Sequence, residues 1–181
     1  MAKDRILFLG CKARNAGWAA LLLVVFAAGC SSKPAGPPAA DEEGAVRARF
    51  AELQSAVKDR DADKLWLLLD TRSQGDAERS AKAIQAAYAK AAPEEKAKQE
   101  EALGLPGTEL ARLTGKGFLK TKRFHGKYHE VPEGRIDRVT VEKDSATVYF
   151  LEPDGDKEKL ILVRQEGQWR VWLTMPKVGQ P

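Results

Sequence analysis

Residues 135–174 settle the fold of this chain, and they read RIDRVTVEKDSATVYFLEPDGDKEKLILVRQEGQWRVWLT. Four runs rich in Val, Ile, Leu and aromatic residues are separated by short polar segments, a pattern that predicts β-strands. The strands are expected at 135–142, 146–152, 159–164 and 168–174. Two of the separating segments contain Asp154-Gly155 and Glu166-Gly167, pairs that favour type I′ hairpin turns because such turns need positive φ. Strands joined by tight turns pair antiparallel, so the sequence predicts a four-stranded meander.

Apolar residues alternate along these strands, which predicts that one face of the sheet is buried. The residues expected on that face are Val139, Val141, Val148, Phe150, Trp169, Val171 and Leu173.

The residues that precede the sheet have the periodicity of helices. From Gly44 onward, apolar residues recur at intervals of three and four, as on one face of a helix. The helices are therefore expected to cover the apolar face of the sheet.

Several helices are expected before the sheet. The first begins at Gly44, and a short second helix, capped by Asp61 or Asp63, contains Trp66. A turn is expected at 71–76, followed by an alanine-rich helix and, after Pro93, by a charged helix at 94–103. The sequence thus predicts an α+β domain over residues 44–176, with helices packed on an antiparallel meander and a tail at 177–181.

The first 29 residues have the three parts of an export signal. Lys3, Arg5, Lys12 and Arg14 precede the apolar run AGWAALLLVVFAA at 16–28. As a helix this run spans about 20 Å, whereas the hydrocarbon core of a bilayer is about 30 Å thick. The run therefore favours a signal peptide over a transmembrane helix.

The leader also explains the basic charge of the chain. The chain has a net charge of +4, and the leader holds four basic residues against one acidic residue, which leaves +1 for the rest. A nearly balanced body has no strong field to attract nucleic acid, so we predict no nucleic-acid partner. Cys11 lies in the leader and Cys30 directly follows it, so the body can form neither a disulfide nor a cysteine-ligated metal site.

The residues Ala27-Ala28-Gly29-Cys30 resemble the lipobox of bacterial lipoproteins. In that family the cysteine thiol receives a diacylglycerol, the signal is cleaved before it, and the new amino group is often acylated. The resemblance implies that Cys30 is the lipid-bearing first residue of a mature chain anchored in the cell envelope. Ser31 and Ser32 follow, with no aspartate, which by the same resemblance favours the outer membrane facing the periplasm in a two-membrane cell. The alternatives are an ordinary secretory signal or an uncleaved anchor.

Residues 31–43, SSKPAGPPAADEE, contain three prolines and no apolar periodicity. Together with Cys30 they are interpreted as a tether over 30–43. An extended, partly polyproline-like segment of this length spans roughly 35–40 Å, which would hold the domain away from the bilayer.

The order of the elements resembles the NTF2-like cone fold, and in particular small lipoproteins that carry such a domain. The resemblance covers roughly residues 45–175. It depends on the helix-break-helix AVKDRDADKLWLLL at 56–69 and the last hairpin around Gly167-Gln168-Trp169-Arg170-Val171. Enzymes of that superfamily act inside an apolar cavity with Asp, His or Tyr. The helical stretch at 76–114 is longer than that fold requires.

Two classes of function remain open. The first is a non-catalytic binding or interaction domain of unknown ligand, tethered to a membrane. The alternative is a small NTF2-like enzyme that acts on an apolar ligand in the cone cavity. An open cavity that holds a buried Asp, Glu or His near a Tyr favours the enzyme. A cavity filled by Trp66, Trp169 and leucines favours the binding domain.

Basic and aromatic residues alternate over residues 116–138. Basic side chains interleaved with aromatic rings bind anionic polymers or headgroups, and in an exported protein these are envelope polymers or lipids. An edge strand kept soluble by lysine is the alternative interpretation. The candidate residues for binding an anionic surface are Lys116, Lys120, Lys122, Arg123 and Lys127.

No catalytic residue, cofactor or metal site is predicted. On a helix His125 and His129 would approach each other, but Gly126 and Pro132 argue against a helix there. On a strand the two histidines would lie about 13 Å apart, too far to share one metal.

The remaining polar candidates have simpler expected roles. Asp144, Asp154 and Asp156 are expected to make local hydrogen bonds in turns. Tyr128 and Tyr149 are expected to be core or interface aromatics.

Overall fold

The computed structural model describes residues 39–177, in which helices precede a single sheet. The helices and the one 3₁₀ turn are α1 (Ala39–Lys58), α2 (Ala62–Leu68), α3 (Thr71–Lys90), α4 (Pro93–Leu103), α5 (Gly107–Leu110), α6 (Gly115–Phe118), α7 (Lys122–Lys127) and η1 (Val131–Glu133). The strands are β1 (Arg135–Glu142), β2 (Ser145–Leu151), β3 (Lys157–Gln165) and β4 (Gln168–Trp172).

The four strands form an antiparallel sheet in the order β1-β2-β3-β4, which confirms the predicted α+β meander. The last turn has the predicted type I′ geometry, since Glu166 and Gly167 both have positive φ. The turn at Asp154-Gly155 differs, because only Gly155 has positive φ. Its N–H donates to the carbonyl of Glu152, which closes a longer turn.

The helix α1 covers the inner face of the sheet. Its side chains Val46, Phe50, Leu53 and Val57 are buried, as the spacing predicts. The ring of Phe50 packs 5.2 Å from the ring of Phe150 on β2. Trp169 is also buried, whereas Trp66 is half-buried against the core. Side chains therefore fill the inner face of the sheet where α1 crosses it.

The start of α1 corrects the predicted boundary at Gly44. Residues 39–43 are helical and not part of an extended tether. The carboxylate of Glu42 accepts hydrogen bonds from Arg164 and from Trp169 Nε1, the latter at 3.1 Å. These partners lie more than 120 residues away in sequence, so local periodicity carried no sign of them.

The start of α3 corrects the turn expected at 71–76. The helix begins at Thr71, because the buried side chain of Asp70 caps it by accepting from Ser73 N–H at 2.8 Å. The sheet reinforces this start. Asp70 N–H donates to the carbonyl of Val171, and Ser73 Oγ accepts from Leu173 N–H at 2.8 Å.

Residues 107–133 form short helical turns, so the edge-strand interpretation of the basic segment is wrong for residues 116–133. The last part of that segment, with Arg135 and Arg138, does lie on the edge strand β1. The fixed points of this segment are buried apolar side chains, namely Leu110, Leu113, Phe118, Leu119, Phe124 and Val131. Their spacing follows neither a strand nor one long helix, and each short turn contributes one or two of them to the core.

The predicted signal peptide at 1–29, Cys30, the tether up to residue 38 and the end of the tail at 178–181 lie outside the described residues. Among residues 39–177, no helix has the length and apolar character needed to cross a membrane.

Candidate functional site

The helix α7 and the turn that follows it lie between two clefts, one lined by basic side chains and one that contains a group of carboxylates. Thr121 caps α7, since its buried hydroxyl donates to Phe118 O at 2.7 Å and accepts from Phe124 N–H at 3.2 Å. Phe124 anchors the helix by packing against Phe118 and Tyr128 at centroid distances of 6.5 and 5.1 Å. The expectation of no helix around Gly126 is therefore wrong, because the buried cap and aromatic anchor outweigh one glycine.

The five predicted anion-binding residues do not converge on one site. Lys116 Nζ lies 2.6 Å from the carboxylate of Asp63 on α2. Lys122 Nζ donates to the carbonyl of Glu101 at 3.3 Å. The hydrogen bond and charge of Lys116 lower the pKa of Asp63, and the charge of the exposed Lys120 lowers it further.

The other two cations face the C-terminal residues. Arg123 donates to the carbonyl of Lys177 at 3.3 Å. Lys127 Nζ donates to the carbonyl of Thr174 at 2.8 Å, and its pKa is lowered by burial. The predicted set thus contacts α2, α4 and the C-terminal segment. Lys122 lines one cleft together with Arg60, and Lys127 lines another together with Lys159.

The basic cleft lies between α7 and the turn that follows α1. It has a volume of about 390 Å³ and is lined by Arg60, Lys122, His125, Gly126 and His129. An adjoining depression of about 250 Å³ adds Val57, Lys58, Pro132 and Glu133. The described residues that line the first cleft include two permanent cations and no carboxylate.

Arg60 reaches this cleft from an unusual backbone position. It ends α1 with φ of 53°, a left-handed conformation that normally favours glycine. Two hydrogen bonds hold it there, from Arg60 N–H to Val57 O at 3.2 Å and from Asp61 N–H to Ala56 O at 2.9 Å. A residue other than glycine is strained in this conformation. Strained residues cluster at functional sites, and here the strained residue places its guanidinium beside the cleft.

His125 forms the floor of the basic cleft and is only 7% exposed. Its Nε2 atom is buried without a hydrogen-bond partner among the described residues, while the Leu119 carbonyl bonds the imidazole. Nδ1 therefore carries the proton. Burial, and then the nearby charge of Arg60, lower the pKa of His125. The imidazole is neutral at pH 7 and contributes no charge of its own.

His129 lies at the rim of the same cleft and is exposed. Its Nδ1 is 3.0 Å from the carbonyl of Gly126, and its Nε2 is 3.2 Å from the carboxylate of Glu130. The two histidines border one cleft, although they do not lie on a strand as the distance argument supposed.

The acidic cleft lies on the other side of α7, beside the turn between β2 and β3. It has a volume of about 310 Å³, and the side chains that line it include Glu130, Glu152, Glu158, Lys127, Lys159 and the apolar Phe150 and Leu160. Carboxylate oxygens of Glu130, Glu152 and Asp154 lie within 4.8 Å of one another. Burial first, and then the hydrogen bond and charge of Glu130, raise the pKa of Glu152 to about 7.

Two residues, Asp154 beside the acidic cleft and Tyr128 in its lining, have roles that were expected from the sequence. Asp154 accepts a hydrogen bond from Asp156 N–H at 3.0 Å, which is a local turn contact. The Tyr128 hydroxyl donates to the carbonyl of Thr174 at 2.6 Å, and burial raises its pKa. Tyr149, by contrast, lies outside the cleft on β2, where the guanidinium of Arg138 stacks on its ring.

Sequence reasoning missed the residues that complete both clefts. Arg60 was part of a helix break, and Glu130 and Glu152 were unmarked acidic residues near turns. The available signal was the helix break within 56–69, which contains no glycine, so a residue with a side chain had to end the first helix. No sequence signal places residues 60 and 125, or 130 and 152, side by side, because those contacts are made by packing.

Comparison with known proteins gave no match to a family model, to a curated protein or to a solved structure.

Proposed function

We propose that this chain is a membrane-tethered envelope lipoprotein, acylated at Cys30, whose folded body is a non-catalytic domain that binds an anionic group. The observation that carries the binding proposal is the basic cleft. Arg60 in the turn after α1 and Lys122 on α7 are fixed positive charges that line it together. A phosphate or carboxylate of an envelope polymer or a lipid headgroup matches that charge.

The filled inner face of the sheet supports binding at the surface over reaction in a cone. Phe50, Leu53 and Trp169 occupy the space where an apolar ligand of an NTF2-like enzyme would lie. A surface cleft lined by arginine and lysine suits a charged ligand. The resemblance to the NTF2-like cone fold stays a prediction from the sequence.

The binding proposal is tested with two defined polyanions at several salt concentrations. Soluble inorganic polyphosphate and vesicles containing an anionic phospholipid distinguish a polymer from a membrane surface. We expect salt-sensitive binding that weakens about tenfold or more in Arg60→Glu and in Lys122→Glu, since a hydrogen bond to a charged group contributes about 1.5–3 kcal/mol. Lys90→Glu on α3 makes the same charge change at an exposed residue away from the cleft.

If all three variants bind the polyanions equally weakly, the net charge of the protein explains the effect. The basic cleft would then not be the binding site. The combined change of Lys120, Lys122 and Arg123 to Glu is expected to abolish binding. If that triple variant binds both polyanions as tightly as the parent chain, the anionic-ligand proposal fails.

The tether is tested separately by the mass of the native product. We expect cleavage before Cys30 and a mass increase equal to two or three acyl chains. Because two or more chains make membrane release very slow, Cys30→Ser is expected to move the protein to the soluble fraction. Retention of Met1, or residue 30 without acyl groups, would contradict this part alone.

A second candidate function, an acid–base enzyme, is favoured by one observation in the acidic cleft. Glu152 shares a hydrogen bond with Glu130 and lies in the same cleft as Tyr128, an arrangement in which one carboxyl can hold a proton near neutral pH. We expect Glu130→Gln to lower the pKa of Glu152, because the amide removes a negative charge and can donate to the remaining carboxylate. An NMR titration of the Glu152 carboxyl measures this. A Glu152 that titrates near 4.5 in the parent chain would remove the basis for the enzyme.

A further inference from the structure

One edge of the sheet is open in the part of the chain that the structure describes. The strand β1 pairs only with β2, and no backbone hydrogen bond from outside the sheet reaches it among residues 39–177. The opposite edge is covered, since Leu69 bridges to Val171 on β4 and Asp70 N–H donates to the Val171 carbonyl at 3.0 Å. An uncovered strand edge is a template for another strand.

The side chains of β1 are divided between the two faces of the sheet. Ile136, Val139 and Val141 lie opposite buried residues of β2, so they share the inner face. All three are only half-buried, which leaves apolar surface along the open edge. Arg135 and Glu142 are exposed at the two ends of the strand, and both lie on the outer face.

A bulge changes which residues fall opposite each other across this edge. Ile136 pairs with Phe150 and Arg138 pairs with Tyr149, so Asp137 is an extra residue in β1. Because Asp137 takes no position in the ladder, Arg135 and Glu142 each lie three paired positions from Val139, in opposite directions along the strand. If Asp137 were paired, Arg135 would lie four positions away.

We propose that β1 pairs antiparallel with β1 of a second copy of this chain, about a two-fold axis at Val139. In this register Val139 lies opposite the Val139 of the second copy, and Ile136 lies opposite Val141. Arg135 lies opposite Glu142 at both ends of the pairing. Every pair brings together side chains from the same face of the sheet, as an antiparallel ladder requires.

Charge complementarity selects a second copy as the partner of this edge. The strand carries a cation at one end and an anion at the other, so the two-fold operation neutralises both ends at once. The bulge is what allows this match, because Ile136 would lie opposite Glu142 if Asp137 occupied a position in the ladder. The inference depends on neither the acyl group nor the proposed anionic ligand.

A protected monomer is the competing interpretation, since bulges and charges at strand edges also prevent pairing. The two are separated by charge reversal in the chain from residue 31 onward. That chain contains every core residue, all of which lie between Val46 and Leu173. Its mass in solution is followed by sedimentation over a range of concentrations.

We expect the parent chain to form a dimer that Arg135→Glu weakens about tenfold or more, because both end pairs become like charges. The double variant Arg135→Glu with Glu142→Arg is expected to restore the dimer, since the two ends again carry opposite charges. Lys90→Glu is the matched control and should leave the dimer unchanged. A chain that is monomeric at all concentrations overturns the proposal, as does a dimer insensitive to Arg135→Glu.

A cross-link tests the register directly. The chain from residue 31 has no cysteine, so Val139→Cys introduces a single thiol. Directly opposite residues in an antiparallel ladder have Cα atoms about 5.5 Å apart, a separation that a disulfide spans. We expect a disulfide-linked dimer on mild oxidation of Val139→Cys and none with Val163→Cys on the interior strand β3. Cross-linking of both variants alike would contradict the register.

Discussion

At the scale of single residues, burial makes the side chain of His125 harder to protonate than an exposed histidine. Its imidazole packs edge-on against Phe124 at 5.6 Å and is held neutral by burial and by the charge of Arg60. The other titratable groups at the clefts it borders are Lys58, Lys122, His129 and Glu133. The charges of Lys58 and Lys122 oppose a positive charge on His125, whereas the carboxylate of Glu133 favours one.

The lowered pKa of His125 predicts a dependence of stability on pH. Because the folded state binds this proton less readily than the unfolded state, the free energy of unfolding falls as pH drops below the ordinary histidine value of about 6.5. We expect denaturant midpoints that decrease from pH 7 to pH 5 in the parent chain. In His125→Asn, which cannot be protonated, the decrease should be smaller.

His129→Asn is the matched control for that experiment, since His129 borders the same cleft but its side chain is exposed. If both variants keep the full dependence of the parent chain, burial of His125 is not its cause.

At the scale of elements, glycine positions the short helices. Gly115 starts α6 where it crosses α3, and an added Cβ would lie 2.8 Å from the backbone nitrogen of Glu78. Gly126 lies within α7, and an added Cβ there would meet nothing within 4 Å. The two glycines therefore have opposite roles, one required for close approach and one a weakness in a helix.

We predict opposite effects of alanine at these two glycines. Gly115→Ala should destabilise the domain by about 1–3 kcal/mol, because overpacking forces α6 away from α3. Gly126→Ala should stabilise it by about 0.4–1 kcal/mol through the reduced entropy of the unfolded chain. Chemical denaturation measures both. Destabilisation by Gly126→Ala of the same size as that by Gly115→Ala would show that steric contact with Glu78 is not the reason.

At the scale of the whole molecule, Glu42 joins the first helix to the far end of the sheet. It is half-buried and bonds Arg164 and Trp169, so α1 is attached at its first turn as well as along its apolar face. The folded domain therefore extends N-terminal to Gly44. The predicted tether at 30–43 is therefore shorter than expected, because residues 39–43 belong to α1.

We predict that Glu42→Ala lowers the free energy of unfolding by about 1–3 kcal/mol, because it leaves two donors without an acceptor in a partly buried position. Asp41→Ala is the control, since Asp41 is exposed in the same helical turn. Thermal or denaturant unfolding of the chain from residue 31 compares them. If the two variants are equally stable, the contacts of Glu42 do not stabilise the domain. Residues 39–43 would then belong to the tether, as the sequence predicted.

Local pattern was enough to predict the elements whose burial follows a regular period. The meander over 135–174 and the buried stripe of α1 were predicted because alternation and 3.6-residue spacing directly record which side of an element faces the core. The short helices between Gly107 and Lys127 were not, because each is anchored by only one or two apolar side chains. A period cannot be read from so few residues.

The sequence by itself determined the α+β class and the order of the strands, because these depend on neighbours along the chain. The lipid-bearing Cys30 stays a prediction from the sequence. Only the tertiary structure decided where α1 and α3 begin and which charges meet at the two clefts. Those features arise from contacts between residues far apart in sequence, such as Glu42 with Trp169 and Arg60 with His125. A hydrogen bond or a burial cost depends on distance in space, and that distance is set only when the whole core has packed.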